Sequence, residues 1–288
     1  ELHKRRLGVM SRKGAAMPEI PDLEGYAGYF NRRLPGLKIE AAERGPIPWL
    51  VREQPDRWEN RLPGQTFGEV YRHAKMLFFP LDSGDYIAVH AMLTGRYQYV
   101  EPKTKVRSKT GWLLTLHNGM QLRYYDEMRM GRTYVACEEE FGEKLPRWTE
   151  MGPDVMKELD EDGFLAKTMS GRGMIKNIIT NERIIAGIGN AYADEVLWEA
   201  KLHPFRKRTD IGEDCLRELF RSTVRVMERA TPIVTELMEE KGLPQKMYRD
   251  HLRVHARPED AVCPRDGHRI SSITSGGRET NFCRGCQE

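Results

Sequence analysis

The run Pro18-Glu19-Ile20-Pro21-Asp22 places a proline and a carboxylate side by side, directly after Met17. If Met17 is an initiator that is removed, Pro18 carries a terminal secondary amine with a pKa near ~8, against ~10.4 for a lysine. Such an amine attacks aldehyde-like carbons at neutral pH and forms an iminium, and Glu19 beside it is suited to supply a proton. The structural alternative is that Pro18 and Pro21 only start a helix.

Residues 1–16 differ in character from the rest of the chain, because they are basic and polar. They lack the apolar segment of about 7 to 15 residues that a secretory signal contains. We therefore interpret residues 1–16 as an extension or an expression remnant, and we expect an intracellular protein.

Three of the five cysteines, Cys263, Cys283 and Cys286, lie in the last 26 residues. A CxxC pair with a third cysteine about 20 residues upstream predicts one structural zinc ion rather than a disulfide scaffold. Two residues compete for the fourth ligand position. Asp266 lies where a paired knuckle has its second cysteine, whereas the imidazole of His268 is the commoner partner of thiolates, and the balance leans slightly to His268. The alternative is a tail that binds no metal.

A glycine-rich turn, Gly187-Ile188-Gly189-Asn190, leads into a predicted helix. Unpaired N–H groups at such a helix start suit a phosphate. Basic residues exceed acidic ones by four between residues 164 and 208, against an excess of three in the whole chain. This excess predicts a footprint for a phosphate backbone, which includes Arg172 and Lys176. A plain helix corner and a solvated helix face are the structural alternatives.

These residues need a scaffold, and the hydrophobic pattern of the 288 residues predicts two domains. Apolar residues recur at helical spacing over 21–34, whereas residues 65–136 contain short β-rich runs. The runs are too close for intervening helices, and Asn118-Gly119 between two of them is a hairpin signal, which predicts an antiparallel sandwich or barrel. Residues 153–240 have a helical pattern, so we place a domain boundary near Gly152-Pro153. The predicted strands are 66–71, 76–81, 86–90, 97–100, 112–117, 122–125 and 133–137.

The composition excludes a membrane-spanning protein. The chain has 39% hydrophobic and 31% charged residues. It has no apolar run near the ~18 residues that a membrane span requires. The net charge of +3 is too small to indicate a class of partner by itself.

The PEIPDLE run, the AGIGNAYADE run and the terminal CxxC finger, in this order, resemble the formamidopyrimidine-DNA glycosylase and endonuclease VIII family. The similarity covers nearly all of residues 17–288. It implies a two-domain α+β protein, with an N-terminal antiparallel β-sandwich and flanking helices over 17–150. A helix-two-turn-helix domain is expected over 151–258 and a zinc finger over 259–288. Damaged DNA is expected in the cleft between the domains.

The resemblance also implies roles for individual residues. Pro18 matches the Schiff-base nucleophile, Glu19 the acid that opens the sugar ring, and Lys75 the hairpin lysine that assists elimination. Arg278 is linked to the second elimination. The residues that resemble the phosphate-gripping set of the family are Lys176, Asn190 and Arg278.

Two loops resemble the wedges with which this family fills the gap left by a flipped nucleotide. They are His90-Ala-Met-Leu93-Thr-Gly95 and Asp126-Glu-Met128-Arg129-Met130-Gly131. Leu93 replaces a methionine, Met128 the arginine that contacts the orphaned base, and Met130 an aromatic residue. Arg129 is retained and is expected to hold phosphate. The predicted wedge is therefore apolar and lacks the charged donor toward the opposite base.

The prediction is a bifunctional DNA glycosylase and abasic-site lyase that removes oxidised bases and cleaves the strand by β- and then δ-elimination. Its partner is double-stranded DNA with damaged bases or abasic sites, and its cofactor is one structural zinc ion. We expect a monomer in the cytoplasm, associated with the nucleoid and not with a membrane. The alternative is a protein of the same fold that binds damaged DNA without catalysis. Only a free Pro18 amine separates the two.

Overall fold

The computed structural model describes residues 16–53, 55–275 and 278–288. The interpretation of residues 1–16 as an extension lies outside the described residues, except for Ala16. The helices are α1 Ile20–Asn31, α2 Pro55–Glu59, α3 Phe141–Lys144, α4 Glu161–Ser170, α5 Ile175–Ile179, α6 Asn190–Glu199 and α7 Glu213–Lys241. The strands are β1 Ile39–Arg44, β2 Tyr71–His73, β3 Met76–Pro80, β4 Tyr86–His90, β5 Gly95–Val100, β6 Thr110–Leu116, β7 Gln121–Asp126, β8 Arg132–Ala136, β9 Ile270–Ser275 and β10 Arg278–Cys283.

Two four-stranded antiparallel sheets form the N-terminal half, with strand orders β1-β6-β7-β5 and β2-β3-β4-β8. The predicted turn joins β6 to β7, and Gly119 in it has a φ of +80°, which glycine adopts without strain. Both sheets contribute to one core, in which the Tyr97 ring centroid lies 5.4 Å from that of Phe30 and 5.9 Å from that of Phe79. The predicted antiparallel sandwich is confirmed.

Two strand predictions differ from the structure. Thr66 and Phe67 form isolated bridges only, and the strand expected over 66–71 begins at Tyr71 instead. Strand β1 was not predicted, because alanine and glutamate dominate it and neither favours a strand. It forms because Ile39 and Ala42 point into the sandwich core while its backbone pairs with β6.

Helices α4 to α7 form the second half, and α7 connects it to the sandwich. Leu216 and Leu219 near the start of α7 lie in the helical core, whereas Val234 and Met238 near its end lie in the sandwich core. Ile20, the first residue of α1, lies in the helical core, although the rest of α1 packs on the sandwich. Each of these two helices therefore contacts both halves and holds them together around the start of α1.

The finger hairpin β9–β10 packs beside α6, and Trp198, Val254, Cys263 and Cys283 form a small core there. Together with the sandwich and the helical half, it confirms the predicted α+β class. Across the described ranges, no helix is both long and apolar enough to cross a bilayer.

Candidate functional site

Glu19 is buried at the start of α1 and reaches into the helical half. Its carboxylate oxygens accept the N–H groups of Ala191 at 2.9 Å and Tyr192 at 3.0 Å, in the first turn of α6. A helix start presents unpaired N–H groups and a partial positive charge, and both stabilise a carboxylate. Gly189 permits this approach, because a Cβ there would lie 2.2 Å from Glu19 Cδ. The prediction that the N–H groups after the glycine-rich turn bind a phosphate is therefore wrong for these two groups.

Pro18 lies beside Glu19 and is buried. Its nitrogen is an amide in this chain, because Met17 precedes it. The Met17 carbonyl accepts Arg249 Nη2 at 3.4 Å, and the Ala16 carbonyl accepts Arg96 Nη2 at 3.0 Å. Two guanidinium groups therefore lie next to the peptide that precedes the predicted nucleophile.

Lys75 lies on the tight turn between β2 and β3, in which Ala74 has a φ of +48°. The Lys75 ammonium is nearly buried and pairs with Glu182 of the helical half at 3.1 Å. Beneath the turn, buried Arg72 pairs with Asp154, and Asp154 also accepts the Ala74 N–H at 2.8 Å. The turn and its lysine are therefore held at the interface between the two halves.

Electrostatic interactions keep this interface paired. Burial opposes ionisation of Glu182, but the Lys75 ammonium outweighs burial and lowers the pKa of its carboxyl. Burial also lowers the pKa of His90, so this imidazole is neutral at pH 7. Lys75 therefore faces an ionised carboxylate, and a role in elimination requires it to leave that partner.

The two predicted wedge loops lie side by side at one end of β5 and β7. Asp126 joins them, because its carboxylate accepts the Thr94 hydroxyl and the N–H groups of Met128 at 3.1 Å and Met130 at 2.7 Å. Met128 and Met130 are 42% and 38% exposed, and Leu93 is half-buried. Exposed apolar side chains on a loop whose backbone is held by hydrogen bonds are what a wedge requires.

The glycines of the two wedge motifs are required by Tyr124. A Cβ on Gly95 would lie 2.1 Å from the Tyr124 hydroxyl oxygen, and a Cβ on Gly131 would lie 1.9 Å from it. Arg129 has a φ of +58° and an exposed side chain. Its contact with phosphate stays a prediction.

Lys176, Asn190 and Arg278 line one cavity of about 250 Å³. The Asn190 amide donates one hydrogen to the Glu279 carbonyl at 2.9 Å, and among the described residues its second amide hydrogen has no acceptor. The Arg278 side chain is exposed at the edge of this cavity. The structure therefore brings together the three residues that the resemblance assigned to phosphate.

Lys176 has an additional role that the sequence did not indicate. Its buried ammonium donates to Asp194 Oδ1 at 2.5 Å, to Thr280 Oγ1 at 2.9 Å and to the Glu279 carbonyl at 3.4 Å. These bonds use all three of its hydrogens and attach the finger strand β10 to α5 and α6. Contact with a phosphate would replace one of them.

Arg172 lies in a second cavity of about 470 Å³, together with Lys207 and Arg208. Met174 and Phe205 line both cavities, so the two are contiguous. The second cavity has no acidic residue among its described lining residues. The basic side chains of both cavities favour an anion.

Cys263, Asp266, Cys283 and Cys286 place one ligand atom each within 4.8 Å of one another. The Cys263 and Cys286 sulfurs are 3.7 Å apart, and the Cys283 sulfur lies 3.3 Å from each Asp266 oxygen. Four ligands around one zinc at Zn–S ≈ 2.3 Å would hold two sulfurs about 3.8 Å apart. The donor atoms and their spacing therefore fit one structural zinc ion.

His268 does not belong to this group of four. Its side chain is 64% exposed, and its Nδ1 lies 3.3 Å from Asp266 Oδ2. From this position the His268 ring can support Asp266 without being a metal ligand itself, as residues around the ligands of metal sites commonly do. The slight preference of the sequence for His268 as the fourth ligand is not supported by this geometry.

Three donors surround the thiol groups. Trp198 Nε1 lies 3.2 Å from the Cys263 sulfur, and Arg265 Nη1 lies 3.4 Å from the Cys286 sulfur. The Gly285 N–H lies 3.4 Å from the Cys283 sulfur. Donors of this kind stabilise thiolates, which are the metal-binding form of cysteine.

Sequence reasoning missed several residues around Pro18 and Glu19. Asp22 belongs to the run that was singled out, but it had no assigned role. Tyr192 lies in the AGIGNAYADE run but likewise had no assigned role, and Arg249 lies in the connector after α7, where no motif marks it. Only their contacts in the folded chain identify them.

The chain combines a β-sandwich, a helical half and a cysteine finger, with basic cavities beside the finger and a buried Pro–Glu pair where the two halves meet. This arrangement defines a helix-two-turn-helix DNA glycosylase. Residues 17–133 match the model of the formamidopyrimidine-DNA glycosylase N-terminal domain, and residues 151–239 match that of the formamidopyrimidine-DNA glycosylase H2TH domain.

Relatives of full length agree with these matches. The formamidopyrimidine-DNA glycosylase of Pelotomaculum thermopropionicum is 30% identical over 94% of this chain and 99% of its own length. That of Listeria monocytogenes is 27% identical over 94% of this chain and 100% of its own length. The Lactococcus lactis enzyme, solved with DNA that contains an abasic site, covers 94% of this chain and 100% of its own, at a TM-score of 0.81 and 25% identity. A mutant of the Lactococcus lactis enzyme, solved with DNA that contains Fapy-dG, has a TM-score of 0.83 and 25% identity over the same shares.

The chain belongs to the formamidopyrimidine-DNA glycosylase family. The predicted enzyme class, a bifunctional DNA glycosylase and abasic-site lyase, is confirmed by this membership. The predicted boundaries of the three domains stay predictions.

Proposed function

We propose that this protein excises oxidised purines from double-stranded DNA and then cleaves the strand at the abasic site, with Pro18 as the nucleophile. The observation that carries the proposal is the buried Pro18-Glu19 pair at the start of α1, with the Glu19 carboxylate held by two N–H groups of α6. The names of the relatives and the DNA in the Lactococcus lactis structures support a formamidopyrimidine as the substrate.

In the proposed reaction the chain begins at Pro18. The neutral amine attacks C1′ of the deoxyribose and gives its proton to the Glu19 carboxylate, while the N-glycosidic bond breaks and the damaged base leaves with a proton from water. Glu19 returns its proton to O4′ as the C1′–O4′ bond breaks, and the nitrogen lone pair forms the C1′=N iminium. The positive iminium acidifies the C2′ hydrogen. Loss of that proton expels the 3′-phosphate, and loss of a C4′ proton expels the 5′-phosphate.

The cavities supply the positions that these eliminations require. Arg278 and the free amide hydrogen of Asn190 are suited to hold a phosphate next to the reacting sugar, because both offer donors to one cavity. Arg172 and its neighbours in the second cavity are suited to hold the strand further along. Lys75 contributes after it leaves Glu182.

The direct test uses a chain that begins at Pro18 and two duplexes, one with Fapy-dG and one with an abasic site. We expect release of the base from the first duplex and cleavage of the damaged strand in both. Tight binding without release or cleavage would instead support the alternative, a damaged-DNA-binding protein of the same fold. The finer location that we propose, the cytoplasm next to the nucleoid, follows from this substrate.

The apolar wedge predicts weak selectivity for the base opposite the lesion. Excision rates should differ by no more than about 1 kcal/mol among the four opposite bases, since one specific base contact is worth about 1–3 kcal/mol and Met128 offers none. Met128→Arg should introduce a preference, whereas Met169→Arg, which adds the same charge to an exposed methionine on α4, should not. Single-turnover rates measure this. A preference above about a hundredfold in the unchanged protein would mean that another residue reads the orphaned base.

We propose Cys263, Asp266, Cys283 and Cys286 as the four ligands of one structural zinc ion. When bound, zinc would join the loop at Cys263 to the end of β10 and so fix the finger that carries Arg278. The three thiols and the Asp266 carboxylate, with their supporting N–H donors, are the observations that favour this set over one with His268.

Zinc content of purified variants tests the ligand set. Asp266→Ala should lose zinc and DNA affinity at fixed salt, while Asp266→Cys should keep both. His268→Ala should keep one zinc per chain in direct metal analysis, because loss of an outer partner weakens binding by only about 10–100-fold. Zinc loss in His268→Ala together with full zinc in Asp266→Ala would reverse the assignment. An unchanged protein without zinc would reject the site.

A further inference from the structure

Arg249, in the connector between α7 and the finger, contacts the segment that contains Pro18. Its guanidinium makes two parallel bonds to Asp22, Nη1 to Oδ1 at 2.6 Å and Nη2 to Oδ2 at 2.6 Å. Its Nη2 also donates to the Met17 carbonyl at 3.4 Å, which is the peptide oxygen next to the Pro18 nitrogen. Asp22 is fully buried and Arg249 is 12% exposed, so solvent screens this pair little.

The pair is linked to both catalytic candidates. Asp22 Oδ2 accepts the Glu19 N–H at 2.9 Å, as part of the cap of α1. The guanidinium carbon of Arg249 lies 5.4 Å from the ring centroid of Tyr192, whose N–H binds Glu19. One guanidinium therefore contacts the cap of α1, the first turn of α6 and the peptide at Pro18.

Titratable groups from three elements and from the connector face this corner. They are the cap residue Glu19, Asp22 and Tyr26 of α1, Arg96 of β5, Tyr192 of α6, and Arg249, His251 and Arg257 of the connector. Burial raises the pKa of Tyr192 well above its usual range, so it is neutral. Burial and then Arg249 lower the pKa of His251 to about 4, so it is neutral near pH 7. Burial opposes the charge of Arg249, but Asp22 outweighs it and raises the pKa of the guanidinium. The acidic and basic side chains that bond to the backbone next to Pro18 are Asp22, Arg96 and Arg249.

We propose that Arg249 is a positioning residue for the Pro18 nucleophile: by offsetting the charge of Asp22, it keeps the terminal amine in its neutral, reactive form at physiological pH. This inference rests on the proposed function, because it concerns the amine that Pro18 carries when it is the first residue. The direction of each effect follows from the signs of the charges. Without Arg249, buried Asp22 favours the protonated amine, whereas without the charge of Asp22, Arg249 disfavours it.

The experiment uses chains that begin at Pro18 and measures the rate of borohydride trapping on abasic-site DNA from about pH 5 to 9, a range that includes the ordinary pKa of a terminal amine. In Arg249→Gln the midpoint of the rate profile should move to higher pH, by about one unit, since a neighbouring opposite charge shifts a pKa by about 1–3 units. In Asp22→Asn it should move to lower pH. The double variant should return close to the original midpoint.

Two controls separate this effect from a structural one. Arg253→Gln removes another arginine of the same connector, which lies on the Trp198 ring and pairs with Glu199, and it should leave the midpoint unchanged. Arg249→Lys keeps a positive charge and should also keep the midpoint close to the original. The asparagine in Asp22→Asn retains an oxygen for the Glu19 N–H, so the cap of α1 persists.

Shifts of the two single variants in the same direction, or no shift in either, would overturn the proposal. Failure of the proposed function and failure of the role of Arg249 give different results. If the unchanged chain that begins at Pro18 is trapped at no pH, the proposed nucleophile is wrong. If it is trapped and the midpoint does not respond to Arg249 or Asp22, only the role of Arg249 is wrong.

Discussion

A chain that begins at Pro18 should be trapped covalently by borohydride on abasic-site DNA, and the same chain with residues 1–17 attached should not be trapped at all. The reason is chemical, because an amide nitrogen has no basic lone pair with which to form an iminium. In the extended chain the Ala16 and Met17 carbonyls also occupy Arg96 and Arg249. In the chain that begins at Pro18, here called the processed chain, Pro18→Gly should weaken trapping strongly. The shift of the DNA on a gel measures the fraction that is trapped, and mass spectrometry of the protein shows which residue begins the chain.

Lys75 provides the control for this prediction. Its ammonium is nearly buried and paired with Glu182, so it is a poor nucleophile in the structure, and Lys75→Ala should still be trapped. Equal trapping of the extended and processed chains would contradict the assignment of Pro18. Loss of that trapping in Lys75→Ala would then identify the lysine as the nucleophile.

Glu19→Gln should reduce base excision by about 10²–10⁴-fold, the usual contribution of a general acid or base. Cleavage at a preformed abasic site should fall much less, because an abasic sugar already opens to its aldehyde in solution and needs no enzyme acid to open the ring. Single-turnover rates on a Fapy-dG duplex and on an abasic duplex give the two values. Their ratio is the informative quantity.

A structural effect of Glu19→Gln must be separated from a catalytic one, since Glu19 also accepts two N–H groups of α6. Glu195 is the matched control. It is buried, it accepts the N–H groups of Arg253, Val254 and His255 at 2.8 Å each, and burial raises the pKa of its carboxyl. Glu195→Gln should lower the melting temperature without changing the ratio of excision to abasic cleavage. An equal fall of both reactions in Glu19→Gln would assign Glu19 a structural role only.

The sequence by itself determined the parts of this protein that depend on local patterns. Short β-rich runs identified six strands between residues 76 and 137, and helical periodicity identified the helical region of residues 153–240, because local pattern decides which face of an element is buried. The Asn118-Gly119 turn followed from the φ that glycine tolerates. Short motifs identified Pro18 with Glu19 and the cysteine finger, since the chemistry of each depends on residues close in the chain.

Only the tertiary structure decided which groups that are distant in the sequence bind each buried charge. Glu19 and the N–H of Ala191 are 172 residues apart, and Asp22 and Arg249 are 227 residues apart. No periodicity connects such pairs, because a buried charge accepts any partner of suitable geometry that the fold delivers. The same reason explains Asp266 and His268: ligand chemistry alone favours the imidazole, but the loop at Cys263 delivers the carboxylate to the thiols and leaves the imidazole in solvent.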